Sequence, residues 1–242
     1  MRLFALLALA ATALAQPAFD VASVKELADF IPGTISEKIV ANPGSIAMHS
    51  VRLRACIKWA YDVNDYQISG PSWMGAPGWG GRDLARYEVQ AKAPEGTPVA
   101  QMKLMLQNLL AKRFKLKLHR ETRELPVFLL TVAKPDIGLK PSADQNAERI
   151  LPRSEGSLQA QNVTIAELAE MFSGPLQSPI LDRTNLAGRF DFTLKNPPGP
   201  RDDVFASLTE AMRQQLGLKL VKQKVPIEML IVDGAQQKPV AN

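Results

Sequence analysis

The sequence predicts an α+β protein built as a tandem duplication of a small β-α-β-β-α-β-β module, with two sheets that are each packed by two helices. The first observation behind this is an internal repeat: residues 44–132 return as residues 156–232. Gly44-Ser45 comes back as Gly156-Ser157, Val51 as Val163, Ile68 as Ile180 and Arg86-Tyr87 as Arg189-Phe190. Leu116-Lys117-Leu118 returns as Leu218-Lys219-Leu220, and Pro126, Leu130 and Val132 return as Pro226, Leu230 and Val232. A repeat of this length is a small domain copied whole, because each copy holds enough elements to bury a core. The second observation is that helical stripes and two-residue alternation follow one another in the same order in both copies. The third is the Gly, Pro and capping residues that punctuate the joints.

Taken in order, Phe19 to Val24 alternates as a strand, and residues 26–43 read as a loop around Pro32-Gly33 and Asn42-Pro43. A strand at 44–49 leads into a helix over about 51–62, with Ser50 placed as its N-cap. Leu53, Cys56, Ile57 and Ala60 are spaced i, i+3, i+4, i+7 and form the core face of that helix. A short strand at Gln67-Ile68 and an alternating one from Tyr87 to Ala91 follow. Thr97-Pro98 starts a second helix that runs to about Arg113 and buries Met102, Met105, Leu106, Leu109 and Leu110. Strands at 115–120 and 127–132 close the unit. In the second copy Thr164 and Glu167 form a capping box, Ser173-Gly174 ends the first helix, Asp202-Asp203 cap the second and Gly217 stops it. Residues 134–155, polar and carrying Pro135, Pro141 and Pro152, read as an extended linker. The organisation is therefore 1–15 leader, 16–133 first module, 134–155 linker and 156–242 second module.

The leader has the grammar of a signal peptide: Arg2, an apolar run from Leu3 to Ala11, and Ala13-Leu14-Ala15 as a small-x-small cleavage site before Gln16. That run is too short to span a bilayer, and no later stretch reaches the ~20 apolar residues a membrane helix needs. The expectation is a periplasmic or secreted protein cleaved after Ala15, with no membrane span. Without the leader the formal charge falls from +5 to +4, since 29 basic residues become 28 against 24 acidic. So mild an excess suits solubility and gives no support to a nucleic-acid partner. Cys56 stands alone, which excludes an internal disulfide.

Several runs resemble a large family of exported proteins expanded in soil bacteria of the acidobacterial type. They are Phe19 to Lys25, Ala60-Tyr61 with Tyr66 to Trp73, Leu109 to Thr122, Leu181 to Phe192, and Gln215 to Leu218. Asn185 stands where that family usually has Gly, and the Trp73 to Arg82 loop is longer than is usual. Related domains resemble the extracytoplasmic part of membrane-bound antirepressor peptidases, which implies sensing or docking. The β-α-β-β-α pattern around Leu168, Leu186, Gly188 and Leu216 to Leu218 is also similar to short periplasmic domains of secretins and TonB-dependent transducers. The resemblance implies no established activity.

The copies differ most between Ile68 and Tyr87, nineteen residues apart, where Ile180 and Phe190 are ten apart. The first copy thus carries a nine-residue insertion rich in Gly and Trp, the kind of loop on which scaffolds place binding residues. Trp73 and Trp79 are its candidate binding residues, since an indole can stack on a sugar, a peptide or a protein partner. Trp73 has an alternative use as a local core plug, whereas Trp79, flanked by Gly78, Gly80 and Gly81, is harder to bury. Arg82 beside that loop and Arg183 complete the candidate binding set. Asp182-Arg183-Thr184 reads chiefly as an Asx-type turn with Asn185 in the left-handed position, and only Arg183 is left unexplained by turn chemistry.

Cys56 with His49 or His119 is the one nucleophile arrangement available, yet Cys56 lies on an apolar stripe, where a free Cys behaves as a small hydrophobe. Two His and one Cys far apart show none of the usual metal-ligand spacings, and no cofactor is implied. Lys112, Arg113, Lys115, Lys117, His119 and Arg120 read as the solvated face of a strand. The function expected is a non-catalytic binding module for a protein, peptide or glycan. The alternative is a carbohydrate-active or hydrolase-like enzyme using the 70–86 loop; it requires a pocket lined by Trp73 or Trp79 with at least two of Glu88, Asp83, His49 and Asp65.

Overall fold

The computed structural model describes residues 16–27, 37–75, 85–134, 138–145, 153–154, 157–173, 176, 178–195 and 204–241. The leader with its cleavage site, Trp79, Arg82, Asp83 and the capping pair Asp202-Asp203 lie outside the described residues. The protein is mixed α+β. Its first strands are β1 (Val21–Glu26), β2 (Lys38–Asn42), β3 (Ser45–Val51), β4 (Ile68–Ser69), β5 (Tyr87–Lys92) and β6 (Lys117–Val132). The later ones are β7 (Lys140–Pro141), β8 (Arg153–Ser154), β9 (Ser157–Val163), β10 (Ile180–Asp182), β11 (Phe190–Lys195) and β12 (Leu218–Gly234). The helices are α1 (Leu53–Tyr61), α2 (Val99–Arg113), α3 (Ile165–Ser173) and α4 (Val204–Ala211). Two compact units result, one of residues 1–63, 82–117 and 233–242, the other of residues 64–81 and 118–232.

The first unit holds an antiparallel sheet of order β1-β5-β3-β2. The α1 stripe of Leu53, Cys56, Ile57 and Ala60 is buried, as is the α2 stripe of Met102, Met105, Leu106, Leu109 and Leu110. Alternate residues Ile46 and Met48 of β3, and Tyr87, Val89 and Ala91 of β5, supply the buried face of the sheet. Tyr87 meets Phe114 edge to face at 5.0 Å, a contact that contributes about 1 kcal/mol beyond its area. The last residues of the chain close this unit. Gln236 N–H donates to the Phe114 carbonyl at 2.7 Å, Val240 N–H to that of Arg113 at 2.7 Å, and the Tyr87 hydroxyl to that of Gln237 at 2.6 Å.

In the second unit an antiparallel sheet of order β7-β11-β9-β8 packs with a sheet of order β10-β6-β12-β4 and helices α3 and α4. β6 and β12 run antiparallel: Ala133 N–H donates to the Gly217 carbonyl at 2.7 Å, and Arg120 pairs with Glu228 at the other end. The two short strands are added in parallel on the outside, Ile180 opposite Phe128 and Leu230 opposite Ile68. α3 opens with the predicted capping box, Glu167 N–H donating to Thr164 Oγ1 at 3.1 Å and Thr164 N–H to Glu167 Oε2 at 2.8 Å. α4 runs into a π-helical turn, Met212–Leu216, which Gly217 ends in the left-handed conformation at φ 67°.

One device recurs in both units. β3 carries an extra residue between Met48 and Val51 opposite β5, and β9 carries one between Ala160 and Val163 opposite β11. At each bulge a non-glycine residue is left-handed, Ser50 at φ 52° and Asn162 at φ 57°. Ser50 N–H donates to Glu88 Oε1 at 2.9 Å, while Arg86 Nη1 donates to the Ser50 carbonyl at 3.0 Å. Asn162 N–H donates to Asp191 Oδ1 at 2.9 Å, and Arg189 Nη1 to the Asn162 carbonyl at 2.6 Å. An Arg just before the facing strand and an acid two residues on, within it, therefore replace both ladder bonds that the bulge interrupts.

The structure differs from the sequence reading at specific points. There are three four-stranded sheets among the described residues rather than two, because β6 and β12 pair with each other and with β4 and β10. The predicted pairs of closing strands are single strands of 16 and 17 residues, whose charged middles stay extended while facing solvent. Ser50 does not cap α1: Arg52 takes that place with no side-chain cap bond, and its N–H is satisfied by Glu37 Oε1 at 2.9 Å. Pro98 stands at the N-cap of α2, and the Thr97 hydroxyl turns back to the Pro94 carbonyl at 2.6 Å. Within 134–155, Lys140–Pro141 and Arg153–Ser154 pair as edge strands, so this stretch is part of a sheet as well as a connection.

Gly138 donates its N–H to the Leu216 carbonyl at 3.3 Å, and a Cβ on it would lie 1.9 Å from the Gln215 backbone oxygen. Gly138→Ala is therefore expected to cost about 2 kcal/mol or more, since backbone on both sides must shift. A Cβ on Gly234 would meet nothing within 4 Å. Urea unfolding should show a large midpoint shift for Gly138→Ala and a small one for Gly234→Ala; equal shifts would contradict the packing given to Gly138.

Candidate functional site

An opening in the first unit lies between the start of β1 and the face of α2. Pro17 is tied to α2 by Asn108 Nδ2, which donates to its carbonyl at 2.8 Å, and Asp20 N–H donates to the Lys92 carbonyl at 2.8 Å as the chain enters the sheet. Between these two anchors the chain stands off the helix. The cleft it leaves has a volume of about 490 Å³ and is lined by residues 18–22 on one side and by Met105, Asn108, Leu109, Lys112 and Arg113 on the other. Its walls are chiefly apolar, with two cations and a single acid, Asp20.

Three features make this a place to bind something. β1 is an edge strand, so one side of its backbone is paired with β5 and the other is open among the described residues. Val21 on the cleft wall is 68% exposed, and Leu104, next to Met105 on α2, is 49% exposed. They are the most exposed large apolar side chains among the described residues, and Val21 is one of the residues lining the cleft. Arg113 Nη1 already donates to the Ala241 carbonyl at 2.6 Å, whereas Lys112 is exposed and has no ion-pair partner among the described residues.

The residues singled out by sequence fall elsewhere. Trp73 lies in the second unit on a single helical turn, Ser72–Met74, and is half-buried. The core plug there is its neighbour Met74, which is buried; a Cβ on Gly70 would lie 3.1 Å from both Met74 Sδ and Val232 Cβ. Arg183 is exposed, with its N–H donating to the Leu130 carbonyl at 2.9 Å. Burial pushes the Tyr66 phenol up, and its hydrogen bond with Asn64 and the nearby Arg183 charge oppose that shift. Asp182 Oδ1 accepts from Thr184 N–H at 2.8 Å and from its hydroxyl at 2.7 Å, and Asn185 has φ 59°, which is the Asx-type turn.

Of the acid–base set, His49 Nδ1 and Glu88 Oε2 meet at 2.9 Å in the first unit, where Glu88 also holds the Ser50 N–H. Asp65 and Trp73 belong to the second unit, and none of these four lines the cleft. Glu37 collects Arg52 and Arg86. Burial pushes its carboxyl up, but the hydrogen bonds from Arg52 and the two guanidinium charges hold it below the ordinary carboxylate value. Among the described residues no group of three His, Cys, Asp or Glu side chains converges as a metal site would.

A mixed α+β protein of two compact units, with an open cleft between an edge strand and a helix, is the class these features define. The chain belongs to the DUF3738 family, proteins of unknown function, whose model matches residues 54–235. No curated protein and no solved structure matches it. No helix among the described residues is long and apolar enough to cross a membrane.

No local pattern marks the cleft, since Phe19 to Val24 reads as a strand and the α2 stripe as core. The signal was a second stripe on α2, Leu104, Asn108 and Lys112 at i, i+4 and i+8, too mixed in polarity to stand out. Cys56 is fully buried, and burial first, then the Glu37 charge, push its thiol up to about 12. It stays protonated at neutral pH. A disulfide reagent should therefore leave it unmodified at pH 7 and at pH 9 in the native protein and titrate one thiol in urea. Rapid reaction of the native protein at pH 9 would contradict its burial.

Proposed function

We propose that this chain is an exported, non-catalytic binding module, made by tandem duplication of one small domain and acting outside the cytoplasm. The observation that carries the reading is the cleft beside the open edge of β1, with Val21 left largely exposed on its wall. Apolar surface presented beside unpaired backbone is a common arrangement for accepting another chain. The duplication is supported by the order of elements, since β3-α1-β4-β5-α2-β6 and β9-α3-β10-β11-α4-β12 follow one another. It is supported further by the bulge and its Arg–acid pair, which occur at matching places. Export is supported by the leader sequence, and by the resemblance of residues 19–25, 60–73, 109–122 and 181–192 to the soil-bacterial exported family.

In this reading the duplicated framework supplies rigidity, and specificity lies where the copies differ. Trp73, Trp79 and Arg82 on the inserted loop and Arg183 on its turn are a second set of contacts, distinct in sequence from the cleft. The partner is a protein, peptide or glycan of the cell envelope or its surroundings.

Capture from periplasmic extract with the mature chain, compared with Val21→Lys and Trp79→Ala, tests both elements. Val21→Lys puts a charge on the cleft wall without touching the core, and is expected to lose a partner that the wild type retains. Trp79→Ala is expected to change the partner set again. Identical profiles for all three would overturn the reading.

A further inference from the structure

We infer that the occupant of the β1–α2 cleft is an extended polypeptide strand that carries an apolar residue and, two residues further on, a carboxylate side chain. This rests on the binding-module reading above and narrows it to one chemistry. β1 is an edge strand, and an edge strand is completed by another strand, whose backbone supplies the missing hydrogen-bond partners. A strand added there presents alternate side chains toward α2.

The lining of α2 then sets what those side chains must be. Met105 and Leu109 form the apolar part of the helix wall, and Phe19 and Ala22 line the same opening from the segment that enters β1. Burying one Val or Leu between them gains roughly 1.5–3 kcal/mol, so the first anchor is apolar. One helical turn beyond Leu109 the lining changes to Lys112 and Arg113. Arg113 is engaged by the backbone carbonyls of Val240 and Ala241, which leaves Lys112 as the cation available to a ligand. Asp20 opposes the pair with one negative charge, so the lining remains net positive and favours an anionic group.

The spacing matches an extended chain. Along α2, Leu109 and Lys112 are separated by roughly 4.5 Å, and Met105 and Lys112 by roughly 10.5 Å, at the rise of an α-helix. Residues i and i+2 of a strand are roughly 6.7 Å apart. In a strand that runs along α2, an apolar side chain seated over Met105 and Leu109 brings the carboxylate of the residue two places along within reach of Lys112 Nζ. An isolated amphiphile would need no open strand edge; a peptide uses both walls.

The test is fluorescence anisotropy with a labelled, C-terminally amidated peptide of sequence Ser-Thr-Val-Thr-Glu-Thr-Ser against the chain from Gln16 onward. Replacing the peptide's Glu by Gln should weaken binding about three- to fivefold at low salt, the scale of an exposed ion pair. Lys112→Met, which keeps helix propensity, should weaken the Glu peptide by the same factor and leave the Gln peptide unchanged. Replacing the peptide's Val by Ser should weaken binding to either protein by about tenfold or more. Equal binding of the Glu and Gln peptides to wild type would overturn the inference, as would failure of every probe to bind. Such a failure alongside a Val21-dependent partner in the extract would leave the broader reading standing, whereas loss of both would remove it.

Discussion

At each of two bulges a left-handed residue interrupts a strand just before a helix, and an Arg leading into the neighbouring strand and an acid on that strand hold it in place. Ser50 and Asn162 pay a torsional cost that glycine would avoid, of order 1–2 kcal/mol. Both backbone groups of each are nevertheless satisfied, by Glu88 and Arg86 in one unit and by Asp191 and Arg189 in the other. The helices α1 and α3 begin within three residues of these points. The direction in which each leaves its sheet, and hence the packing of its buried stripe, depends on the bulge being fixed. The acids are held in turn: Ser142 Oγ donates to Asp191 at 2.6 Å, and that bond with the Asn162 N–H keeps the carboxyl below its ordinary value. On the other side Arg86 is steadied by Glu37 at 3.1 Å, and Arg189 by Glu167 at 3.3 Å.

The long strands then decide how each unit is completed. Residues following β12 close the first unit by bonding to Arg113, Phe114 and Tyr87. Residues following β6 bond to the end of the π-helical turn in the second unit, through Ala133 and Gly138. The first unit is thereby finished by residues 233–242 and the second takes in residues 64–81, whose β4 pairs with β12, so neither is a continuous stretch of sequence. Placing the chain's last residues against α2 also engages Arg113, and leaves Lys112 as the cation of the cleft.

Much of this was legible from local pattern. The stripe of Leu53, Cys56, Ile57 and Ala60, the Thr164–Glu167 capping box, the turn at Asp182 and the stop at Gly217 follow from side-chain spacing and backbone preference within a few residues. What escaped depends on pairing between distant residues. Glu121 to Glu124 are charged or polar and fall between the two predicted closing strands, yet they remain extended within β6. Ser50 resembles an N-cap in sequence, but it sits in a bulge whose backbone groups are held by Arg86 and Glu88, 36 and 38 residues away. The cleft is of the same kind: no local pattern says that β1 is an edge strand, or that its first residues stand off α2. The Trp-rich insertion was conspicuous because it is local, and most of it lies outside the described residues.

The central claim is that the bulge amides are held by the acids facing them, and hydrogen exchange at those two amides measures this directly. In the native protein the N–H groups of Ser50 and Asn162 should exchange as slowly as those of the adjoining strands, although each lies where its ladder is interrupted. Glu88→Ala should speed exchange at Ser50 at least about tenfold while leaving Asn162 unchanged, and Asp191→Ala should do the reverse, since a lost charged acceptor is worth about 1.5–3 kcal/mol. Unaltered exchange at both amides in these variants would contradict the account.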